Sequence, residues 1–273
     1  MSWDDRQRAI LAAMGIRLWT DPHREAEASL PPGTAPEAEG DGPARSAASP
    51  RETAPSARSS AAVPATRAPQ AAELGARPVG VEAMDWPALR AAVAGCTACG
   101  LCRSRRNTVF GVGHERAHWM IVGEAPGEHE DRQGEPFVGM AGQLLDNMLR
   151  AVGLSRTPGP DHDPARQVFI ANVLKCRPPV NRNPLPEEVA QCAPYLRRQV
   201  ELVQPKLILA MGRFAVQALL ETDAAIGRLR GQRHQYQGVP VVVTYHPAYL
   251  LRNPADKARA WDDLCLAREV AGQ

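Results

Sequence analysis

Four short apolar runs constrain the fold of this chain more than any other feature of its sequence. They span residues 118–123, 168–173, 206–211 and 240–245, and Gly, Pro or Asn bounds each of them. Their apolarity is continuous rather than alternating, which is typical of strands that are buried on both faces of a parallel sheet. The sequence therefore predicts a sheet of four parallel strands.

Helical patterns lie between and after these runs, over residues 140–152, 186–203, 213–220 and 255–270. The second begins with Pro186 and carries acidic residues in its first turn, as helix N-termini prefer. Alternation of strands and helices predicts an α/β sandwich with a helix layer on each face of the sheet. Ligands of such folds bind at the carboxyl ends of the strands.

The N-terminal third has a different composition. Residues 21–82 hold 10 of the 25 prolines and contain no Ile, Met, Phe, Trp or Tyr. A segment with so little apolar surface cannot offset the entropy that ordering costs, so we predict a disordered linker. The folded domain is then expected over residues 83–273, with a separate short segment at 1–20.

Charge and hydropathy exclude some classes of protein. Residues 83–273 hold 23 basic and 19 acidic side chains, a mildly basic balance that only weakly suggests a polyanionic partner. No apolar run is long enough to span a membrane, and the N-terminus does not have the pattern of a secretory signal. We expect a cytoplasmic monomer.

Five of the six cysteines form a constellation. Cys96, Cys99 and Cys102 lie in the string CTACGLC, and Cys176 and Cys192 follow far downstream. A Cys-x2-Cys turn and two distant thiolates suit a tetrahedral site, but the spacing does not choose between zinc and an iron–sulfur cluster. Buried structural thiols are the alternative.

The loop after the first apolar run reads GEAPGEHED. Gly123, Pro126 and Gly127 indicate a tight turn that brings backbone N–H groups near a ligand. The loop has no phosphate-binding Lys before Ser or Thr, and its acidic residues would repel a phosphate. Carboxylates at this place suit activation of water or stabilisation of a cation.

Together with the cysteines, the strings GEAPGEHED, EPFVGMAGQLL, VFIANVLKCRPPVNRNP and YHPAYLLRNP resemble the family-4 (thermostable-type, iron–sulfur) uracil-DNA glycosylases. The resemblance covers about residues 90 to 270. It implies a three-layer α/β/α sandwich around a four-stranded parallel sheet. It also implies an enzyme of base excision repair that flips deoxyuridine out of DNA and hydrolyses its N-glycosidic bond.

The resemblance assigns roles to the first two motifs. Glu124 matches the catalytic carboxylate, in a loop whose Gly123, Ala125 and Pro126 are expected to contact the substrate. Glu130 matches the acid that lies near uracil C5 and helps to exclude the methyl group of thymine. Phe137 matches the ring that stacks on the extruded base. The pocket residues that the resemblance implies in these two motifs are Gly123, Glu124, Ala125, Pro126, Glu130 and Phe137.

Two later motifs supply the rest of the implied base pocket. Asn172 matches the amide that reads the imide edge of uracil, since an amide both donates and accepts. His246 matches the histidine that donates a hydrogen bond to uracil O2. Such a donor stabilises the negative charge that develops on departing uracil.

The same resemblance implies contacts to DNA. Arg252 follows in the loop that enters the minor groove, and Leu250 or Leu251 is expected to fill the space that the flipped nucleotide vacates. Arg177 and Arg182 are expected to contact phosphates.

For the cofactor, the resemblance makes Cys96, Cys99, Cys176 and Cys192 the ligands of a [4Fe–4S] cluster with a structural role. Cys102 is then not a ligand. The shifted pair Cys99 and Cys102 stays open, because both pairs have the same spacing.

Two other functions are alternatives to the glycosylase. A related subgroup traps uracil-DNA covalently through a histidine in an inserted basic loop, whereas KCRPPVNRNP contains no insert and no His. A nucleotide-binding protein would need phosphate-loop chemistry that the sequence does not show.

Residues 4–14 carry an apolar stripe of Ile10, Leu11 and Met14, and the string MGIRLWT is similar to a segment of the clamp-loader psi subunit. Residues 1–20 are therefore expected to dock on replication or repair machinery, or else to pack on their own domain.

Overall fold

The structure, a computed structural model, describes residues 75–157 and 163–272 together with a few N-terminal positions: Arg6, Ala9, Ile10, Ala13 and Met14. The predicted linker lies outside the described residues from 21 to 74, so its predicted disorder stays a prediction.

One six-stranded sheet forms the centre of the fold. Its strands are β1 (Val112–Gly113), β2 (Trp119–Gly123), β3 (Val168–Asn172), β4 (Leu207–Met211), β5 (Arg233–Tyr236) and β6 (Val239–Thr244), in the order β1-β3-β2-β4-β6-β5. The four inner strands are parallel, and each edge strand is antiparallel to its neighbour. The four inner strands are the four apolar runs, so that prediction is confirmed.

Eight helices surround the sheet in the continuously described parts of the chain. They are α1 (Trp86–Ala94), α2 (Glu128–Gln133), α3 (Met140–Ala151), α4 (Pro186–Val203), α5 (Arg213–Leu220), α6 (Ile226–Leu229), α7 (Pro247–Arg252) and α8 (Lys257–Val270). Of the helices described, none combines the length and apolarity that crossing a membrane requires.

Alternate side chains of each inner strand face opposite helix layers. In β2, Met120 and Val122 belong to the apolar cluster of α1, α4 and α5, whereas Trp119 and Ile121 belong to the cluster of α3, α7 and α8. Both sets of side chains are fully buried. The fold is therefore the predicted three-layer α/β/α sandwich.

The sequence did not predict the edge strand β5. Its residues are polar and alternate between exposed and half-buried positions, so no apolar run marks it. Its pairing with β6 follows from the turn at Gln237 and Gly238, which both adopt positive φ angles of 49° and 81°. Turns of this kind match the twist of a hairpin and favour Gly at the second position.

The folded body begins earlier than the predicted boundary at residue 83. Val81 is buried in the cluster that contains α1 and α4, and the Arg198 guanidinium donates to the Met84 carbonyl at 2.6 Å. A β-carbon at Gly75 would lie 2.2 Å from the Thr97 carbonyl oxygen. Val81 therefore packs on the domain and Gly75 lies close to Thr97, so the folded body begins before residue 83.

The N-terminal stripe packs on its own domain. Arg6, Ala9, Ile10 and Ala13 are helical, as predicted, while Leu11 lies outside the described residues. Ile10 and Met14 are buried in the cluster that contains α3 and α8, and Arg6 forms an ion pair with Asp262 of α8 at 3.0 Å. Ile10 and Met14 are thus covered by their own domain, which is the alternative to docking, and the docking of residues 1–20 on another protein stays a prediction.

Replacing Met14 with Ala is expected to lower the free energy of unfolding by about 2 kcal/mol, since it removes a fully buried side chain. Thermal unfolding of Met14→Ala and of the control Ala13→Ser, at an exposed position of the same helix, measures the effect. Equal melting temperatures for both variants would show that the helix does not pack on the domain.

Candidate active site

The carboxyl ends of the inner strands bring three separate sequence motifs together. Gly123 and Asn172 are paired in register at the ends of β2 and β3, and Glu124 follows Gly123 directly. His246 follows the end of β6, where the Gly212 N–H donates to the Thr244 carbonyl at 3.0 Å. The parallel sheet therefore places a carboxylate, an amide and an imidazole at one edge.

Gly123 forms the floor of this site. A β-carbon there would lie 2.5 Å from Asn172 Oδ1 and 2.6 Å from Phe137 Cζ. Both distances are well inside van der Waals contact, so the close approach of amide and ring requires glycine. Gly123, Asn172 and Phe137 therefore form one continuous surface, as their predicted roles in one pocket require.

The Asn172 amide oxygen lacks a hydrogen-bond partner. The residue is 2% exposed, and no described residue donates to its Oδ1. A buried polar atom without a partner is costly and needs an explanation. An N–H donor of a ligand that enters beside Gly123 would satisfy this oxygen.

Phe137 and His246 line the same side of the site. Their ring centroids lie 5.4 Å apart and their planes differ by 28°. Phe137 adopts a positive φ of 56°, which is uncommon for a residue with a bulky side chain. A β-carbon at Gly142 of α3 would lie 1.7 Å from the Phe137 carbonyl oxygen, so close packing of α3 fixes this backbone.

His246 is a neutral hydrogen-bond donor. It caps α7, where its Nδ1 accepts from the Ala248 N–H at 3.2 Å. Burial, assisted by the positive charge of Arg252 and opposed by Glu130, lowers the pKa of His246 to about 4. Since Nδ1 is the acceptor, the single proton of the neutral ring lies on Nε2.

Glu124 is a half-buried carboxylate that no described residue binds through a hydrogen bond or an ion pair. Burial raises the pKa of Glu124, and the charge of Arg213 opposes this shift. Arg213 begins α5 and is exposed, next to the Gly212 on which His246 packs. Glu124 is therefore available for chemistry, and the cation beside it favours its charged form.

Glu130 has a structural role that its sequence position did not indicate. Its Oε2 accepts from the Gly127 N–H at 3.1 Å, and its Oε1 accepts from Val138 and Gly139 at 3.0 and 3.2 Å. The carboxylate thus ties the loop after β2 to the segment that carries Phe137. Exclusion of a methyl group by Glu130 stays a prediction.

The two other predicted loop contacts also lie at this edge. Ala125 is half-buried and packs against the cluster of α1, α4 and α5, whereas Pro126 is buried. Their contacts with substrate stay predictions.

Of the two leucines considered for the space in the DNA stack, only Leu251 is suitably placed. Leu250 is fully buried in the apolar cluster of α3 and α8, so it cannot reach DNA. Leu251 is 37% exposed, and Arg252 beside it is exposed. Leu250 therefore does not suit the space in the stack, because its side chain packs on the core, while that of Leu251, about 100° further round α7, is partly exposed.

The two arginines expected to contact phosphates are already paired within the protein. Arg182 forms a two-pronged ion pair with the buried Glu188, at 2.9 and 2.5 Å. Arg177 donates to Asn181 Oδ1 at 2.8 Å and lies 3.6 Å from Glu128. These partners fix the loop between them, so a phosphate contact by either arginine would compete with an internal carboxylate.

The cysteines meet in one cavity on the α1 and α4 side of the sheet. It is lined by Cys96, Cys99, Cys102, Cys176 and Cys192, together with Arg105 and Lys175 among others. The Arg105 guanidinium donates to Cys176 Sγ at 3.1 Å, and the Lys175 N–H donates to Cys192 Sγ at 3.3 Å. Cys265 is exposed on α8, outside this cavity.

The thiols around this cavity are a donor set that either zinc or an iron–sulfur cluster uses. Among the described residues, no group of three or more His, Cys, Asp or Glu could hold one metal ion. Burial raises the pKa of Cys176 to about 11 and that of Cys192 to about 12, and a bound cation would stabilise their thiolate forms.

Sequence reasoning missed three cations that support the site. Arg213 neighbours Glu124, and Lys175 lies between the cysteine cavity and Asn172. Arg156 donates to the Pro136 carbonyl at 2.8 Å and to Asp146 at 2.7 Å, which anchors the segment of Phe137. Only Lys175 could have been noticed in the sequence, because it is one of three lysines among 32 basic residues.

Comparisons with known proteins agree with this geometry. Residues 110–265 match the family model described as the Uracil DNA glycosylase superfamily. A Type-4 uracil-DNA glycosylase of Archaeoglobus fulgidus is 41% identical over 186 residues, covering 65% of this chain and 89% of the relative. A Type-4 enzyme of Thermotoga maritima is 42% identical over 166 residues, or 60% and 82%. A Type-5 uracil-DNA glycosylase of Pyrobaculum aerophilum is 38% identical over 148 residues, or 50% and 64%.

The fold, the pocket and the matched residues together define the class, and the chain belongs to the uracil DNA glycosylase superfamily. Within it, the type-4 relatives match more of the chain, and at higher identity, than the type-5 relative does. The chain is a member of the type-4 group.

Proposed function

We propose that this chain is a uracil-DNA glycosylase of base excision repair, which releases uracil and leaves an abasic site. The observation behind the proposal is that Asn172 Oδ1 is buried without a hydrogen-bond partner among the described residues, in a pocket where a β-carbon at Gly123 would clash with it. Uracil presents an imide N–H to such an acceptor. Cytosine has a ring nitrogen without a proton at the same place, so it would leave the acceptor unsatisfied.

The reaction is a hydrolysis of the bond between uracil N1 and the sugar C1′. The bonding electrons leave with uracil, the sugar develops the charge of an oxocarbenium ion, and water attacks C1′. His246 donates its Nε2 proton in a hydrogen bond to uracil O2, where negative charge accumulates. The ionised Glu124 stabilises the sugar cation and orients the attacking water.

The pH dependence follows from these two groups. Because burial raises the pKa of Glu124, its ionised, active form is lost at a higher pH than for an ordinary glutamate. The pKa of His246, about 4, keeps the ring neutral across the neutral range. The single-turnover rate should therefore rise with pH through one ionisation, which lies above the ordinary pKa of a glutamate.

Arg213→Gln tests whether Glu124 is the group whose ionisation raises the rate. Since the charge of Arg213 lowers the pKa of Glu124, the rise in rate should occur at higher pH in this variant. A rise at an unchanged pH, measured with the same oligonucleotide, would contradict the assignment to Glu124.

We further propose that Cys96, Cys99, Cys176 and Cys192 hold a [4Fe–4S] cluster. The support is a set of buried and half-buried thiols around one cavity, with Arg105 available to compensate negative charge. Cys102 lines the same cavity, so the choice of Cys96 with Cys99 over Cys99 with Cys102 rests on the family resemblance. The cluster stabilises the fold in this proposal, and no step of the hydrolysis passes through it.

Cys176→Ser is expected to abolish the brown colour and the broad visible absorbance of the purified protein. Cys265→Ser, which changes an exposed cysteine, and Cys102→Ser should both keep them. Absorbance spectra and iron analysis measure the outcome. Zinc without iron in the wild-type protein would overturn the cluster, and loss of iron in Cys102→Ser would overturn the ligand set.

DNA containing uracil is the partner that this function requires. We propose that Leu251 enters the space left by the flipped nucleotide and that Arg252 lies in the minor groove beside it, as their exposure on α7 allows.

The function is tested by incubating the protein with a uracil-containing oligonucleotide and resolving the products on a denaturing gel. Alkali-dependent strand cleavage in excess of the enzyme concentration is the expected result. A heat-stable protein–DNA adduct without turnover would instead identify a trapping protein, and intact DNA would refute both.

A further inference from the structure

Lys175 places a positive charge in the interior of the domain. The side chain is 1% exposed, and its Nζ donates to the Asn172 carbonyl at 2.7 Å and to Gln199 Oε1 at 2.6 Å. Gln199 in turn donates to the Phe110 carbonyl at 2.9 Å. The ammonium group thus has two neutral acceptors that are themselves held in place.

No carboxylate compensates this charge in the described parts of the chain, where the ion pairs leave Lys175 out. A buried charge without a counter-charge is costly. Lys175 itself lines the cysteine cavity, together with Cys176 and Cys192. Four thiolates around an iron–sulfur core carry a net negative charge, which would supply the missing partner.

Lys175 also reaches the base pocket. The carbonyl that accepts from its Nζ belongs to Asn172, whose side chain holds the orphaned oxygen beside Gly123. Its own backbone N–H donates to Cys192 Sγ at 3.3 Å. One residue therefore contacts both the cysteine cavity and the residue that reads the base.

The choice of lysine supports a specific role. The chain has 29 arginines and three lysines, yet this buried site holds lysine. An ammonium group needs at most three acceptors, whereas a guanidinium group brings five N–H donors in a rigid plane.

From these contacts we infer that Lys175 is a positioning residue with two functions. It compensates the negative charge of the iron–sulfur cluster, and it holds the backbone of Asn172 so that the amide faces the uracil edge. The inference rests on the proposed function and extends it, since it makes the cluster and base recognition share one side chain.

The first test is iron retention by the purified holoprotein. Lys175→Met keeps most of the side-chain volume and removes the charge, so a chelator should remove iron about 10–100-fold faster than from wild type, the effect usual for loss of a partner outside the metal ligands. Lys206→Met, at an exposed lysine that precedes β4, is the matched control and should behave as wild type. Equal rates for Lys175→Met and wild type would overturn charge compensation, whether or not the protein cleaves DNA.

The second test separates charge from position. Lys175→Arg keeps the positive charge that Lys175→Met removes, but replaces the compact ammonium donor with a guanidinium group. It should therefore retain iron within about twofold of wild type, while KM for the uracil oligonucleotide rises about tenfold. This variant also carries the test if Lys175→Met does not fold. A wild-type KM in Lys175→Arg would overturn the positioning of Asn172, and rapid iron loss from it would overturn the role of charge. Activity of the wild-type protein, measured beside it, reports separately on the proposed function.

Discussion

Replacing Glu124 with Gln is expected to lower the single-turnover rate of uracil release by about 10²–10³-fold, the loss usual for one charge-stabilising group. Glutamine keeps the size of the side chain but cannot neutralise the sugar cation. Glu124 is the half-buried acid at the end of β2, and no described residue binds its carboxylate, so the change should leave the fold intact.

Enzyme in excess over a radiolabelled uracil oligonucleotide gives the rate without a contribution from product release. Glu115→Gln, at an acid whose described ion pair is with Arg90 on the surface, is the matched control and should keep the wild-type rate. A wild-type rate in Glu124→Gln would remove Glu124 from the reaction.

His246→Ala is expected to have an effect of similar size, again about 10²–10³-fold. The neutral ring offers an Nε2–H donor because its Nδ1 is occupied by the Ala248 N–H. Since negative charge appears on uracil only as the bond breaks, the loss should fall on kcat rather than on KM.

Steady-state kinetics of His246→Ala and of the control His234→Ala, at a half-buried histidine on the edge strand β5, measure this split. A raised KM with unchanged kcat would indicate that His246 binds the base in the ground state only.

The layered architecture could be predicted because strands that are buried on both faces consist of apolar residues. Strands β2, β3, β4 and β6 are covered on both faces, so each is a continuous apolar run. Strand β5 is an edge that stays polar, and nothing in its composition separates it from a loop. The predicted bounds of α4 and α5 agree with the structure because Pro186 is the first residue of α4 and Gly212 directly precedes α5.

Side-chain partners could not be predicted in the same way. The motif indicated that Glu130 and Arg182 are polar residues near the site, but only the folded chain shows that backbone N–H groups and Glu188 already bind them. Leu250 and Leu251 are identical in type and adjacent, so the choice between them depends on which face of α7 packs on the core. Lys175 gave no local signal of its contacts, since these come from distant elements.

The partner surface of the N-terminal stripe could not be predicted either. Its amphipathic pattern correctly predicted a helix with a face to bury, because Ile10 and Met14 lie one turn apart. Pattern alone cannot identify the surface that covers such a face. The structure places the residues in the cluster of α3 and α8, so the helix completes its own domain.

The most direct test of the account is to measure free uracil released from three single-stranded oligonucleotides that differ only in one central base, uracil, cytosine or thymine. Chromatography of the supernatant quantifies the released base under multiple turnover. Uracil is expected in molar excess over enzyme and cytosine is not, because Asn172 Oδ1 accepts from an imide N–H that cytosine lacks, at a floor that Gly123 keeps close. Thymine has the same imide N–H, so its retention in the strand is expected from the predicted exclusion of its methyl group by Glu130. Release of cytosine at a comparable rate, or of no base from any strand, would contradict the account.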